Sequence, residues 1–166
     1  MKLRSLLTAL LGIALLAGGS VFARSTARSN REDWSRTSPP VNLTHLFEGQ
    51  INKRGKPVGF HSRPGGRDPG NARVVRIVDR PNRAGVYTAE VEIRSGSRWL
   101  EKRSTFYPDR MDRAAVVQAI LNAFAKRTSG GSEKFRGPSG QGFTIEGYYQ
   151  NGRINTAHPI FTRDNQ

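Results

Sequence analysis

Three histidines are the side chains of this chain that are best suited to giving and taking a proton near neutral pH: His45, His61 and His158. His45 precedes His61 by 16 residues, and a turn between them would bring the two rings together. His61 stands in the stretch 59–62 (GFHS), at the edge of a Gly-rich loop, and His158 comes just before Pro159. A single histidine is more often structural than catalytic, so a prediction of proton-transfer chemistry depends on all three positions together.

A divalent metal site is one chemistry that these residues allow. His45 and Glu48 have the i, i+3 spacing of neighbours on a helix, and Asp68 follows His61 closely. The chain has no cysteine, which excludes Cys-based zinc sites, iron–sulfur clusters, disulfide staples and a thiol nucleophile. It also has no His-Glu-x-x-His motif. A metal-dependent nuclease or hydrolase that uses His45 and His61 is therefore one alternative.

Metal-free cleavage of RNA fits the same residues better. RNA carries its own nucleophile, the 2′-OH, and cleavage needs a base for its proton and an acid for the leaving 5′-oxygen. A cation must also stabilise the charge that develops on the phosphorus oxygens. Two histidines and a lysine supply these three roles. No cofactor is required, and divalent ions would at most stimulate the reaction.

The elements that position these residues are predicted to form an α+β fold with antiparallel sheets and one principal helix. Asn42 caps a short helix that carries His45, and Asp112 caps the main helix, which runs to about residue 126. Strands are predicted at 73–79, 86–94, 98–107, 142–150 and 153–161, and Asn151-Gly152 is a strong hairpin signal. Loops are predicted at 53–57, 63–71 and 128–142.

Four short motifs follow one another along the chain: HLFEG at 45–49, GFHS at 59–62, KRSTFYP at 102–108 and NGRINTAHPI at 151–160. Together they resemble the bacterial branch of the EndoU endoribonucleases, relatives of the coronavirus uridylate-specific endoribonuclease. The resemblance covers about residues 42–161. The first two motifs are similar to the paired catalytic histidines of the family, the third to its catalytic lysine and the fourth to its last hairpin.

The resemblance implies that His45 and His61 share the roles of general base and general acid, and that Lys102 stabilises the transition-state charge. The residues leave the direction open, and we interpret His45 as the base and His61 as the acid. The products implied are a 2′,3′-cyclic phosphate and a 5′-hydroxyl.

Four residues are suggested for binding the substrate. The resemblance implies that Ser104 bonds the pyrimidine edge and that Thr156 contacts phosphate or base, while the position of Arg67 in the loop after His61 suggests that it shapes the entrance. His158 stands where relatives often carry a base-stacking Tyr, and an imidazole can stack on a base with a smaller, titratable ring. His158 is therefore expected to alter the base preference, and it is a further candidate for a proton role.

The composition favours a polyanionic partner. The 166 residues include 27 Lys plus Arg against 13 Asp plus Glu, a formal net charge of +14. Many of these basic residues lie on either side of His61: Lys53, Arg54, Lys56, Arg63, Arg67, Arg73 and Arg76. An alternative of another class is a non-catalytic module that binds RNA, lipopolysaccharide or a cell-wall polymer. Its binding would survive the loss of His61 or Lys102.

Residues 1–23 are typical of a secretory signal peptide, with Lys2 and Arg4, an apolar run at 6–18 and small residues at the cleavage-specifying positions Val21 and Ala23. A flexible basic arm is predicted at 24–40 and the ribonuclease domain at 41–166. We expect no stable membrane insertion after signal cleavage. The sequence thus predicts a secreted or periplasmic ribonuclease for single-stranded RNA, either an antibacterial toxin or a scavenging enzyme. An acidic immunity or inhibitor protein is an expected partner of a toxin.

Overall fold

A computed structural model describes residues 33–128 and 133–164 of the chain. Over these residues the fold is α+β, with three small antiparallel sheets and one main helix, as the sequence predicts. In chain order the elements are α1 (Leu43–Phe47), β1 (Gln50–Ile51), β2 (Pro57–Val58), a 3-10 turn (Pro64–Gly66), β3 (Ala72–Asp79), β4 (Tyr87–Ser95), β5 (Arg98–Phe106), α2 (Arg113–Ala125), β6 (Lys134–Pro138), β7 (Thr144–Gln150) and β8 (Arg153–Pro159).

One sheet consists of β3, β4 and β5 in that order, joined by antiparallel ladders. Its middle strand alternates as the sequence predicts, because every second residue faces a core. Phe60 and Phe106 pack in this core, with the aromatic rings 5.1 Å apart. The buried apolar residues of β4 are Tyr87, Ala89, Val91 and Ile93.

A second core lies between α2 and the sheet β6–β7–β8. Asp112 caps α2 by accepting a hydrogen bond from the Ala115 N–H, and the helix buries Val116, Ile120 and Ala123. Gly137 allows β6 to approach the helix closely, since a Cβ there would lie 2.0 Å from the Ala123 carbonyl oxygen. The predicted hairpin turn between β7 and β8 is confirmed, with positive φ at both Asn151 and Gly152.

Strand β6 corrects the prediction of a continuous loop over 128–142. Its five residues, KFRGP, include a single large apolar side chain, Phe135, and the flanking residues are rich in Gly and Ser. A strand is recognised in a sequence by several alternating apolar residues, and this segment has only one large apolar residue. The strand forms because Phe135 is buried in the second core and β7 supplies the hydrogen-bonding partner.

The described part of the predicted flexible arm, residues 33–40, is bonded to the domain. The Ser35 N–H donates to the Val41 carbonyl, the Leu43 N–H donates to the Asp33 carbonyl, and the Ile154 N–H donates to the Pro40 carbonyl. The predicted signal peptide and residues 24–32 lie outside the described residues. Among the described helices, none is long and apolar enough to cross a membrane.

Candidate active site

His45 lies on α1, whose start is fixed by Asn42. The Asn42 side chain accepts a hydrogen bond from the His45 backbone N–H at 2.9 Å. The Nδ1 of the His45 ring donates to the Gln50 side-chain carbonyl at 3.2 Å, so the neutral ring keeps its lone pair on Nε2. Burial lowers the pKa of His45 to about 4, against the opposing effect of the Gln50 hydrogen bond. The ring is therefore a neutral proton acceptor at neutral pH.

The segment before His61 packs directly on the end of α1. The Phe60 N–H donates to the His45 carbonyl at 2.7 Å, and the His61 N–H donates to the Leu46 carbonyl at 2.8 Å. Gly59 has φ +77°, and a Cβ there would lie 2.3 Å from the His45 carbonyl oxygen. Only glycine fits both the backbone conformation and this contact. Gly59 therefore allows the segment that contains His61 to pack against the end of α1.

The His61 ring is buried and held from its Nδ1 side. Nδ1 donates to the Thr105 carbonyl at 3.0 Å and lies 3.0 Å from the Ser104 hydroxyl oxygen. The lone pair of the neutral ring is again on Nε2. Burial, together with the positive charge of Lys102, keeps the pKa of His61 well below its ordinary value. The ring is thus neutral in the free protein.

Lys102 enters the site from β5, where it shares a face with Ser104, as the sequence predicts. Its Nζ donates to the Gly59 carbonyl and to the Ser104 hydroxyl, each at 3.0 Å. Ser104 in turn donates to the Phe60 carbonyl at 2.7 Å. Burial lowers the pKa of Lys102 to about 8, and no carboxylate pairs with this lysine within the described residues. Lys102 is therefore an uncompensated cation beside the histidines at neutral pH.

His158 completes a group of three imidazoles centred on His61. Its ring stacks on His61 with the centroids 5.3 Å apart, while His45 lies 5.7 Å from His61 on a tilted plane. On β8, His158 is paired with Glu146 of β7. Burial lowers the pKa of His158, with the carboxylate of Glu146 acting in the opposite direction.

Five of the seven predicted site residues thus come together: His45, His61, Lys102, Ser104 and His158. Thr156 lies two residues before His158 on β8, half-buried and on the same face of the strand. Arg67 is exposed just after the 3-10 turn, and in the described part of the chain no contact joins its side chain to the group.

The positioning roles of three residues are not evident from the sequence. Arg63, rather than Arg67, fixes the loop after His61 through Asp68 at 2.7 Å and the Gly66 carbonyl at 2.6 Å. Gln50 orients His45, and Glu146 faces His158. The cross-strand partner of His158 could have been found from the hairpin register, because Asn151-Gly152 fixes which residues are opposite each other.

Asp68, which the sequence suggests as a metal ligand, bonds other residues of its own loop and of β3. Asp68 bonds Arg63 and accepts from the Val74 N–H at 3.2 Å. Across residues 33–128 and 133–164, no group of three or more His, Asp or Glu side chains is placed to hold a metal ion.

Comparisons with known proteins identify the family of this chain. The family model described as bacterial EndoU nuclease matches residues 41–161. The chain belongs to the bacterial EndoU nuclease family. The chain is also 32% identical over 155 residues to a Bacillus cereus protein named "Toxin". That alignment covers 86% of this chain and 28% of the relative, so the chain spans less than a third of the relative's length. No solved structure matches the chain.

Proposed function

We propose that this EndoU nuclease cleaves single-stranded RNA by attack of a 2′-OH on the adjacent phosphorus, without a metal ion. The observation that carries the proposal is the grouping of two Nδ1-anchored imidazoles with the uncompensated ammonium of Lys102. Anchoring each Nδ1 to an oxygen leaves each Nε2 for proton transfer. Family membership supports nuclease chemistry, and this grouping supports the particular mechanism.

In the proposed reaction, one imidazole Nε2 takes the proton of the 2′-OH while the 2′-oxygen forms a bond to phosphorus. The bond from phosphorus to the 5′-oxygen breaks, and the other imidazole gives that oxygen a proton. The products are a 2′,3′-cyclic phosphate and a 5′-hydroxyl. Lys102 stabilises the negative charge on the phosphorus oxygens.

We assign the base to His45 and the acid to His61. The acid must be charged when it acts, and two oxygens, from Thr105 and Ser104, lie within hydrogen-bond distance of the His61 Nδ1. His45 has a single such oxygen, on Gln50. A bound phosphate raises the pKa of a nearby imidazole, so substrate binding itself favours the charged acid.

The biological setting is part of the proposal. We propose that the domain is the nuclease of an exported antibacterial toxin, because the Bacillus cereus relative is named a toxin. The signal-like residues 1–23 support export to the periplasm or outside the cell. A net charge of +14 supports an acidic immunity protein as the inhibitor that protects the producer.

Product analysis tests the proposal. The protein is incubated with a short RNA containing one uridine among adenines, in excess EDTA, and the products are identified by mass spectrometry. The proposal predicts a 2′,3′-cyclic phosphate end and a 5′-hydroxyl end, with at least 10²-fold slower cleavage by the His61→Ala variant. A linear, rather than cyclic, phosphate at the 3′ end of the upstream fragment as the first product would favour a metal-dependent nuclease. Cleavage that stops in EDTA would favour the same alternative. Binding without any cleavage would favour the polyanion-binding module.

A further inference from the structure

The face of the β6–β7–β8 sheet that points away from the core continues from His158 across two more strands. The ladders place Arg136, Glu146 and His158 in one row, and Lys134, Tyr148 and Thr156 in the next row. Directly paired residues of antiparallel strands lie on the same face. The intervening residues form the opposite, buried face: Phe135, Gly137, Ile145, Gly147, Ala157 and Pro159.

Two cations on this face are held by one carboxylate. Glu146 bonds the Lys134 Nζ at 2.8 Å and the Nε of Arg136. The side chains of Lys134 and Arg136 are 45% and 61% exposed, whereas that of Glu146 is 11% exposed. The outer surface of the group is therefore positive, with a net charge of one.

Arg136 also retains free hydrogen-bonding capacity. Glu146 engages its Nε, and in the described part of the chain no hydrogen bond occupies its two terminal amino groups. A guanidinium with two free donors side by side matches the geometry of two phosphate oxygens. Lys134 adds a point charge beside it.

This pair lies at a distance from the reaction centre that an RNA strand can bridge. Strands are about 4.8 Å apart, so the backbones of Arg136 and His158 are about 10 Å apart across β7. The charges of Lys134 and Arg136 also act on the His158 ring. A strand with one phosphate at the histidines can therefore present a neighbouring phosphate to this pair.

We propose that Lys134 and Arg136, positioned by Glu146, form a second phosphate subsite that binds a phosphodiester of the RNA strand next to the one being cleaved. The subsite rests on the proposed function, since it assumes an RNA strand at the histidines. It makes the enzyme favour substrates that extend beyond a dinucleotide.

Binding of uncleavable RNA tests the subsite separately from the chemistry. Short 2′-O-methyl oligonucleotides are compared in which each phosphate in turn is replaced by a neutral methylphosphonate. At one position, the replacement should weaken binding to the wild-type protein roughly 10- to 100-fold, because a charged hydrogen bond is lost. In the Lys134→Gln plus Arg136→Gln variant the same replacement should have no effect. Glutamine keeps an N–H for Glu146, and each single variant provides a check should the double variant fold poorly.

The matched control is Lys126→Gln plus Arg98→Gln, which removes the same charges from exposed positions elsewhere. It should retain the full effect of the methylphosphonate. The subsite is overturned if no phosphate position distinguishes the wild type from Lys134→Gln plus Arg136→Gln, or if the control behaves like that variant. Position-specific binding in a protein that cleaves no RNA would support the subsite and refute the proposed reaction.

Discussion

At the scale of single residues, the site depends on atoms that hold each ring by its Nδ1. Thr105 and Ser104 fix His61, and Gln50 fixes His45, so both rings are oriented before substrate arrives. Both are also neutral, because burial destabilises the charged form of each ring more than these hydrogen bonds stabilise it. In the proposed reaction, the positive charge of the free site therefore comes from Lys102, and the bound phosphate favours protonation of the acid.

Lys102 should set the alkaline limit of activity. Burial lowers its pKa to about 8, so the ammonium loses its proton, and with it the stabilisation of phosphorus oxygens, as the pH rises through that value. We expect kcat/KM to fall above that pH and Lys102→Ala to reduce kcat by about 10²- to 10³-fold. Lys102→Arg keeps the charge and should move the alkaline limit to higher pH. A limit that stays in place in Lys102→Arg would contradict this role.

A modified leaving group distinguishes the acid from the base. If sulfur replaces the 5′-oxygen at the cleaved bond, the leaving thiolate needs no proton. His61→Ala should then regain most of its lost rate, which is expected to be about 10²- to 10⁴-fold on ordinary RNA, while His45→Ala should not. Single-turnover rates on the two substrates provide the measurement. Rescue of His45→Ala alone would reverse the two assignments.

At the scale of elements, the junction of α1 with the His61 segment is the critical contact. Gly59→Ala places a methyl group against the His45 carbonyl and also strains a left-handed backbone position. Gly55 is the matched control, since its φ is +73° and a Cβ there meets nothing within 4 Å. Gly55→Ala should lower the free energy of unfolding by about 1–2 kcal/mol and preserve activity. Gly59→Ala should cost more and also reduce kcat.

Urea unfolding and single-turnover rates of the two glycine variants test this contact. Equal losses of stability with equal activity would show that the junction does not position the histidines.

The sequence predicts the elements whose local signals are strong. The hairpin at Asn151-Gly152 and the cap at Asp112 are confirmed because each depends on side chains within a few residues. Strand β6 and the role of Glu146 were not predicted, because both depend on partners distant in the sequence. The alternation of β5 predicts the face on which Lys102 lies. Its hydrogen bond to the Gly59 carbonyl is not predictable, because the two residues are 43 positions apart in the sequence.

At the scale of the whole molecule, the site lies where two cores meet. His61 follows Phe60 of the core that contains β4, while His45 precedes Leu46 of the core that contains α2. Lys102 comes from one sheet and His158 from the other. Folding of both cores is therefore needed to assemble the proposed catalytic group.

The buried neutral histidines should make the folded protein sensitive to acid. Between its ordinary pKa of 6.5 and the lowered value of about 4, His45 binds a proton in the unfolded chain but not in the folded chain. Since the unfolded state then binds more protons, the free energy of unfolding falls as the pH falls through this window. Thermal unfolding from pH 7 to 4 should show this loss, with a shallower slope in His45→Gln. An equally steep slope in His45→Gln would assign the acid sensitivity to other groups.

The central claim is that the substrate's own 2′-OH is the nucleophile. Its most direct test compares two RNA strands that differ only in a 2′-deoxyuridine at the single uridine, in excess EDTA. Attack by the 2′-OH predicts rapid cleavage 3′ to the uridine in the all-RNA strand and none at that position in the deoxy strand. Equal cleavage of both strands would show that water, rather than the 2′-OH, attacks the phosphorus.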